Sequence, residues 1–231
     1  MHPVNAAALA EIAEQLVKLN LEFAFLGGAV LGFLLDSPGL VRLRVTDDVY
    51  AIVNIVTFSE YAEMEDILRK VGFHHDLTPG SPVCRWLYKN FTVDIMPVRD
   101  HTKTMTNQWF EYSLRTASNR SFESVTVPTI SATCFVATKL AAFQGRGIHD
   151  LYTSHDLEDI ITIVDGRATL VREFEDENTA IRNYVAEGIS RLLAMQSFVE
   201  ILPGLIEQDA GSQMRIPIIL DKLKQLSQVA G

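Results

Sequence analysis

Thr46-Asp47-Asp48-Val49-Tyr50-Ala51-Ile52-Val53 sets two acids at the mouth of an apolar, β-branched run. Residues 49–56 are apolar on both faces, so they read as a central strand covered on both sides. A carboxylate at the end of such a strand costs free energy unless a cation or a donor compensates it, or unless it lies in solvent at a loop end. A second acid, Asp94, sits inside Phe91-Thr92-Val93-Asp94-Ile95-Met96. Strands disfavour aspartate, so Asp94 is either a surface residue of an edge strand or a functional one. If the two strands are neighbours, Asp48 and Asp94 face one another. Two carboxylates that close repel unless a divalent cation joins them. A donor set made of oxygen alone points to Mg²⁺ or Mn²⁺.

Upstream, a helix capped by Asn5 and running to about Leu19 is followed by a strand over 21–26, the break Gly27-Gly28, and a short helix over 29–35. Ser37-Pro38-Gly39 is a turn. Downstream, a helix opens at Ser59 and runs to about Val71. His74 and His75 read as a solvated loop, and Gly80-Ser81-Pro82 as another. Residues 84–88 and 91–96 form a hairpin turning at Lys89-Asn90. Residues 99–106 are polar and read as a loop, and 125–130 as a strand. Beyond that point the pattern is helical, over 132–144, 155–164, 168–174, 178–195 and 216–228. The expected class is α/β (α+β): a mixed-sheet head over 1–130 and a helical part over 131–231. The helices at 178–199 and 214–228 are amphipathic and are expected to pack on the head or to mediate self-association.

At 231 residues, with 48% hydrophobic and 21% charged, the chain can bury a core and is not a disordered one. No apolar run approaches the roughly 20 residues needed to cross a bilayer, and the start carries no secretion signal, so no membrane partner and a cytoplasmic location are expected. Cys84 and Cys134 lie far apart with no zinc spacing, which suits two reduced, partly buried thiols. The net charge of −9 makes a poor general nucleic-acid binder, so any RNA contact has to be local. Trp86 and Trp109 could stack bases, though core or interface positions are the commoner use of tryptophan.

Two further features carry chemistry. Glycines at a strand-to-helix turn let a backbone approach a ligand closely, and a helix start behind them favours a phosphate; a tight packed turn is the plain alternative. Lys139 and Arg146 are seven apart, on one face of a helix if it runs that far, and could clasp a triphosphate as point charge and fork. Asp150 follows, then Ser154-His155-Asp156-Leu157-Glu158-Asp159. Asp156 and Asp159 suit a helix start, and for Glu158 and Asp159 a surface ion-pair network behind an N-cap at Ser154 is the expected role.

Taken in order, Leu26-Gly27-Gly28-Ala29, Thr46-Asp47-Asp48-Val49, Val93-Asp94-Ile95-Met96-Pro97, Thr138-Lys139-Leu140-Ala141-Ala142-Phe143 and Ser154-His155-Asp156-Leu157-Glu158-Asp159-Ile160-Ile161 resemble the bacterial AbiEii-like nucleotidyltransferases, toxin-type members of the DNA polymerase β-like superfamily. The resemblance covers roughly residues 20–166. It implies that Gly27 and Gly28 hold the phosphates of a nucleoside triphosphate, with Lys139 binding phosphate too. It implies that Asp48 and Asp94 ligate Mg²⁺ or Mn²⁺, and that Asp156 assists from the helical part. The implied reaction moves a nucleoside monophosphate to a hydroxyl of RNA, such as a tRNA end, or of a protein, and an antitoxin is the implied partner. The chain departs from the family where a second carboxylate should follow two residues after the first: Tyr50 stands there. A phenol is a poor Mg²⁺ ligand, and Asp47 points to the other face of the strand. Tyr50 thus leaves three readings: an inactive nucleotide- or partner-binding module, a weak one-metal enzyme, or a toxic enzyme disarmed by substitution.

Overall fold

The computed structural model describes residues 6–36, 41, 43–99, 107–146 and 151–230. The Asn5 cap, the turn at 37–39, the loop over 100–106 and Asp150 fall outside them, as does the side chain of Arg146. The chain groups into two compact units, one of residues 1–33 and 44–131, the other of 34–43 and 132–231.

The first unit carries a seven-stranded mixed sheet. Its strands are β1 (Phe23–Leu26), β2 (Asp48–Val53), β3 (His74–His75), β4 (Arg85–Tyr88), β5 (Phe91–Pro97), β6 (Ser118–Phe122) and β7 (Val125–Thr129). Their spatial order is β3-β4-β5-β2-β1-β7-β6, so β2 has three strands on either side. Val49, Ala51, Ile52 and Val53 are inaccessible to solvent, as expected of a strand covered on both faces. β1 runs antiparallel to β2, with Leu26 opposite Tyr50. β5 runs parallel to β2, with Asp94 opposite Tyr50 and Thr92 opposite Asp48.

Helices α1 (Ala6–Leu16), α2 (Leu31–Leu34), α3 (Phe58–Lys70) and α4 (Phe110–Arg115) complete the unit. α1 buries Leu9, Ile12 and Leu16 and packs on β7, while Val17, expected on the same apolar stripe with Ala13, is exposed just past its end. α3 starts at Phe58 rather than Ser59. Its cap is Thr57, whose hydroxyl accepts from the Glu60 N–H at 3.2 Å, while the Glu60 carboxylate accepts from the N–H groups of Val56 and Thr57 at 2.9 Å each. That reciprocal box sets the start of the helix. The hairpin turns at Lys89-Asn90 as expected, with Lys89 at φ 50°. His74 and His75 are not a loop but a two-residue edge strand on β4. The His75 ring lies 3.8 Å from that of Trp86, and its Nε2 is 3.0 Å from Glu65. An aromatic neighbour and a carboxylate give the imidazole both contacts it needs, which outweighs its polarity. α4 and β6, in the polar middle of the sequence, were not anticipated.

The second unit is helical: α5 (Ala132–Arg146), α6 (His155–Gly166), α7 (Leu170–Glu175), α8 (Thr179–Ala194), α9 (Gln196–Ile201), α10 (Ala210–Gln213) and α11 (Ile216–Leu226). α5 packs with α6, α7 and α8, and α11 with α6, α7 and α8, so the amphipathic faces of α8 and α11 meet helices of their own unit. Gly188 admits Leu140, whose Cδ1 would stand 3.0 Å from an added Cβ. The C-terminal end of α6 is closed by Lys222, whose ammonium donates to the carbonyls of Val164 (2.7 Å), Asp165 and Arg167 (3.3 Å each). Asp36 does the same for the start of α7, its carboxylate accepting from the Ala168 and Thr169 N–H groups at 2.9 and 3.3 Å. Both cysteines are buried thiols outside any disulfide. Among the described residues, no helix is long and apolar enough to cross a membrane.

Candidate functional site

The two acids singled out in the sequence share one neighbourhood in the head. Asp48 opens β2, and Asp94 lies on the adjacent β5, two registers further on. Odd and even positions of a strand point to opposite faces, so Asp48, Tyr50 and Asp94 share a face. Asp94 is 4% exposed on an interior strand, not a surface residue of an edge strand. What brings the carboxylates together is Arg85, directly opposite Asp94 on β4. Its guanidinium grips Asp94 bidentately, Nε to Oδ1 at 2.8 Å and Nη2 to Oδ2 at 2.9 Å. The same Nη2 reaches Asp48 Oδ2 at 3.2 Å. A planar fork matched to a carboxylate is the strong form of this contact.

The electrostatics follow from that geometry. Burial pushes the Asp48 carboxyl above its usual range, Arg85 opposes the rise and the nearby Asp94 adds to it. Hydrogen bonding to Asp94 raises the Arg85 guanidinium still further, so it is a permanent cation here. Tyr50 adds a weak bond from its hydroxyl to Asp48 Oδ2 at 3.5 Å.

Tyr50 also defines the glycine turn. Gly27 has φ 76° and ψ −172°, a conformation open essentially to glycine alone. A Cβ placed on it would stand 2.9 Å from Tyr50 Cδ2. The turn is therefore obligate twice over, by backbone and by the ring against it. Gly28 begins a three-residue 3₁₀ turn before the four residues of α2, where a longer helix over 29–35 was expected. So short a helix adds little dipole to the turn. Gly27→Ala is expected to cost about 1–3 kcal/mol in urea denaturation. Adding Tyr50→Ala should relieve the steric share and leave the backbone share.

The residues fit a divalent ion poorly in this arrangement. The two carboxylates are engaged by a guanidinium, the third position is a phenol, and among the described residues no cluster of three or more His, Cys, Asp or Glu side chains is placed to hold a metal. Trp86 is fully buried and presents no stacking surface.

The helical residues form a cluster in the second unit. Lys139 on α5 meets Asp156 Oδ1 at 3.0 Å and Asp159 Oδ2 at 2.6 Å, both on α6. Asp159 overturns its expected surface role: it is fully buried, because i, i+3 spacing brings it to the same lysine as Asp156. Glu158 does lie outside, paired with His155 at 3.2 Å, and Ser154 caps the helix through the Leu157 N–H. Arg146 ends α5.

No family profile matches the chain, and no curated protein matches it. Among solved structures it is similar to an antigenic nucleotidyltransferase-like protein from Paracoccidioides brasiliensis, at 16% identity over 91% of this chain and 99% of that one, with a TM-score of 0.56. The aminoglycoside-linked ANT(2'')-Ia, solved in complex with adenylyl-2''-tobramycin, is also 16% identical, over 80% of this chain and 97% of that one; at a TM-score of 0.48 the likeness is too loose to argue from. The first likeness shows the fold: a mixed α/β chain of nucleotidyltransferase-like architecture.

Proposed function

We propose that this chain binds a nucleoside triphosphate on the head of a nucleotidyltransferase fold and holds it without transferring its nucleotidyl group. The glycine turn against Tyr50 and the nucleotidyltransferase-like architecture support binding. The observation that carries the second half is the pair of carboxylates committed to Arg85. Nucleotidyl transfer on such a site draws on carboxylates that gather metal ions around the attacking and leaving oxygens. Here those groups neutralise a fixed guanidinium, and Tyr50 stands where a further acid would be needed.

Thermal denaturation with each of the four ribonucleoside triphosphates, with and without Mg²⁺, tests binding. At least one is expected to raise the midpoint, and no shift with any of them would sink the reading. Incubation of the unaltered chain with α-labelled triphosphates, RNA and protein is expected to leave the acceptors unlabelled.

The convergence of Asp48 and Asp94 on one cation favours a second reading: Mg²⁺- or Mn²⁺-dependent transfer to a hydroxyl of RNA, tRNA or protein. Its setting would be that of an AbiEii-like toxin held by an antitoxin. It requires Arg85 to leave both carboxylates. Metal-dependent α-label on an acceptor would establish it in place of the first, and label from the γ-phosphate instead would mark phosphoryl transfer. If Tyr50→Asp labels an acceptor and the unaltered chain does not, the activity is absent for want of that acid.

A further inference from the structure

We infer that Arg85 is the built-in cation of the head, occupying with its guanidinium the place between Asp48 and Asp94 and so excluding divalent metal from it. Three bonds of 2.8, 2.9 and 3.2 Å join one side chain to both carboxylates. The side chains are partly or wholly withdrawn from water, Arg85 at 23%, Asp48 at 28% and Asp94 at 5% exposure. Two carboxylates this close need positive charge between them, and the fold supplies it from within. Strand register fixes the supply: β4 and β5 are joined by a two-residue turn, and Arg85 faces Asp94 across the ladder.

A tethered guanidinium has advantages over a free ion at this place. It is always present at its site, with no translational freedom to lose on binding. It is weakly hydrated and matches a carboxylate in shape, whereas Mg²⁺ gives up water reluctantly and wants near-octahedral oxygen ligands. Asp48, Asp94 and a phenol do not provide that shell. With Arg85 in place the group carries a single net negative charge; without it the pair carries two, facing each other, and becomes an oxygen site that attracts a hard cation.

Cation exclusion and nucleotide binding are separable, so the test uses Mn²⁺ alone, followed by the loss of its free electron-spin signal. The intact chain is expected to show no saturable site below millimolar Mn²⁺. Arg85→Ala is expected to gain one site, tighter by at least about tenfold, and to lose it again on adding Asp94→Asn. Guanidinium ion at millimolar concentration should compete with Mn²⁺ for the site in Arg85→Ala and raise its melting midpoint. If Arg85→Ala does not fold unaided, either cation is expected to restore its circular dichroism, and failure of both overturns the inference. It is equally overturned if the intact chain binds Mn²⁺ at one site that Asp94→Asn abolishes, or if a folded Arg85→Ala binds Mn²⁺ no better than the intact chain. A triphosphate-induced rise in melting midpoint in the intact chain would stand under any of these results.

Discussion

Replacing Lys139 by methionine is expected to cost the protein about 3–5 kcal/mol, read as a fall in the urea midpoint. Lys139 is 12% exposed and stands between two carboxylates that are themselves 7% and 1% exposed. Methionine keeps much of the volume and the unbranched stem, so the loss reports charge rather than packing. The mechanism is the loss of the cation between two buried anions: with the ammonium gone, Asp156 and Asp159 repel in a poorly solvated place. A second variant separates this from a simple contact loss. Lys139→Met combined with Asp156→Asn and Asp159→Leu removes all three charges, and it is expected to recover most of the stability. Continued collapse of the triple variant would mean that the cluster holds the helices by its specific hydrogen bonds instead. The Lys139 cluster joins α5 to α6 within one unit.

Arg215→Met is expected to cost about 3 kcal/mol in the same measurement, toward the lower end because Arg215 is 19% exposed. Its guanidinium spans Asp165, Nε to Oδ1 at 3.0 Å and Nη2 to Oδ2 at 2.9 Å, and Asp165 is 4% exposed. Hydrogen bonding to Asp165 raises the Arg215 guanidinium, the expected sign for a cation held by a buried partner. Nη2 also donates to the Ser212 hydroxyl at 3.2 Å. Removing the arginine takes the bidentate partner from Asp165 at the C-terminal end of α6, where the helix dipole disfavours negative charge. Arg215→Lys should restore less than half of the loss, since an ammonium cannot make the two-pronged contact. Full recovery by lysine would show that charge alone matters there.

Much of the head was legible in the sequence because its signals are local. Val49 to Val53 reads as a buried strand from composition, and it lies at the middle of the sheet. Asp94 stood out because an acid in an apolar strand needs a reason. The reason itself, Arg85, was missed, although a register count reaches it. Starting from the two-residue turn at Lys89-Asn90, Tyr88 pairs with Phe91, and stepping back along both strands puts Arg85 against Asp94. Asp159 was misjudged because Ser154 and the first-turn acids fit a helix start so well that a surface role seemed sufficient; only its burial against Lys139 shows otherwise. α4 and β6 escaped because neither has strong periodicity, and β6, with Ser118 and Asn119 exposed, is held by its pairing to β7. His75 reads as polar in sequence, and it takes the neighbouring Trp86 and Glu65 to make it a strand residue.

The path of the chain between the two units has a consequence for how the protein is made. Residues 34–43 group with helices that are not synthesised until after residue 132. Gly166 is closed over by Leu35 and Val41, and Arg167 pairs with Asp36. A nascent chain therefore emerges with these early residues waiting for partners some 125–133 positions away, while the sheet to either side of them can already assemble. By the same logic, a fragment starting at Ala132 would reach the end of α6 without the residues that cover it, so the segment 34–43 must accompany the helices wherever they are expressed alone.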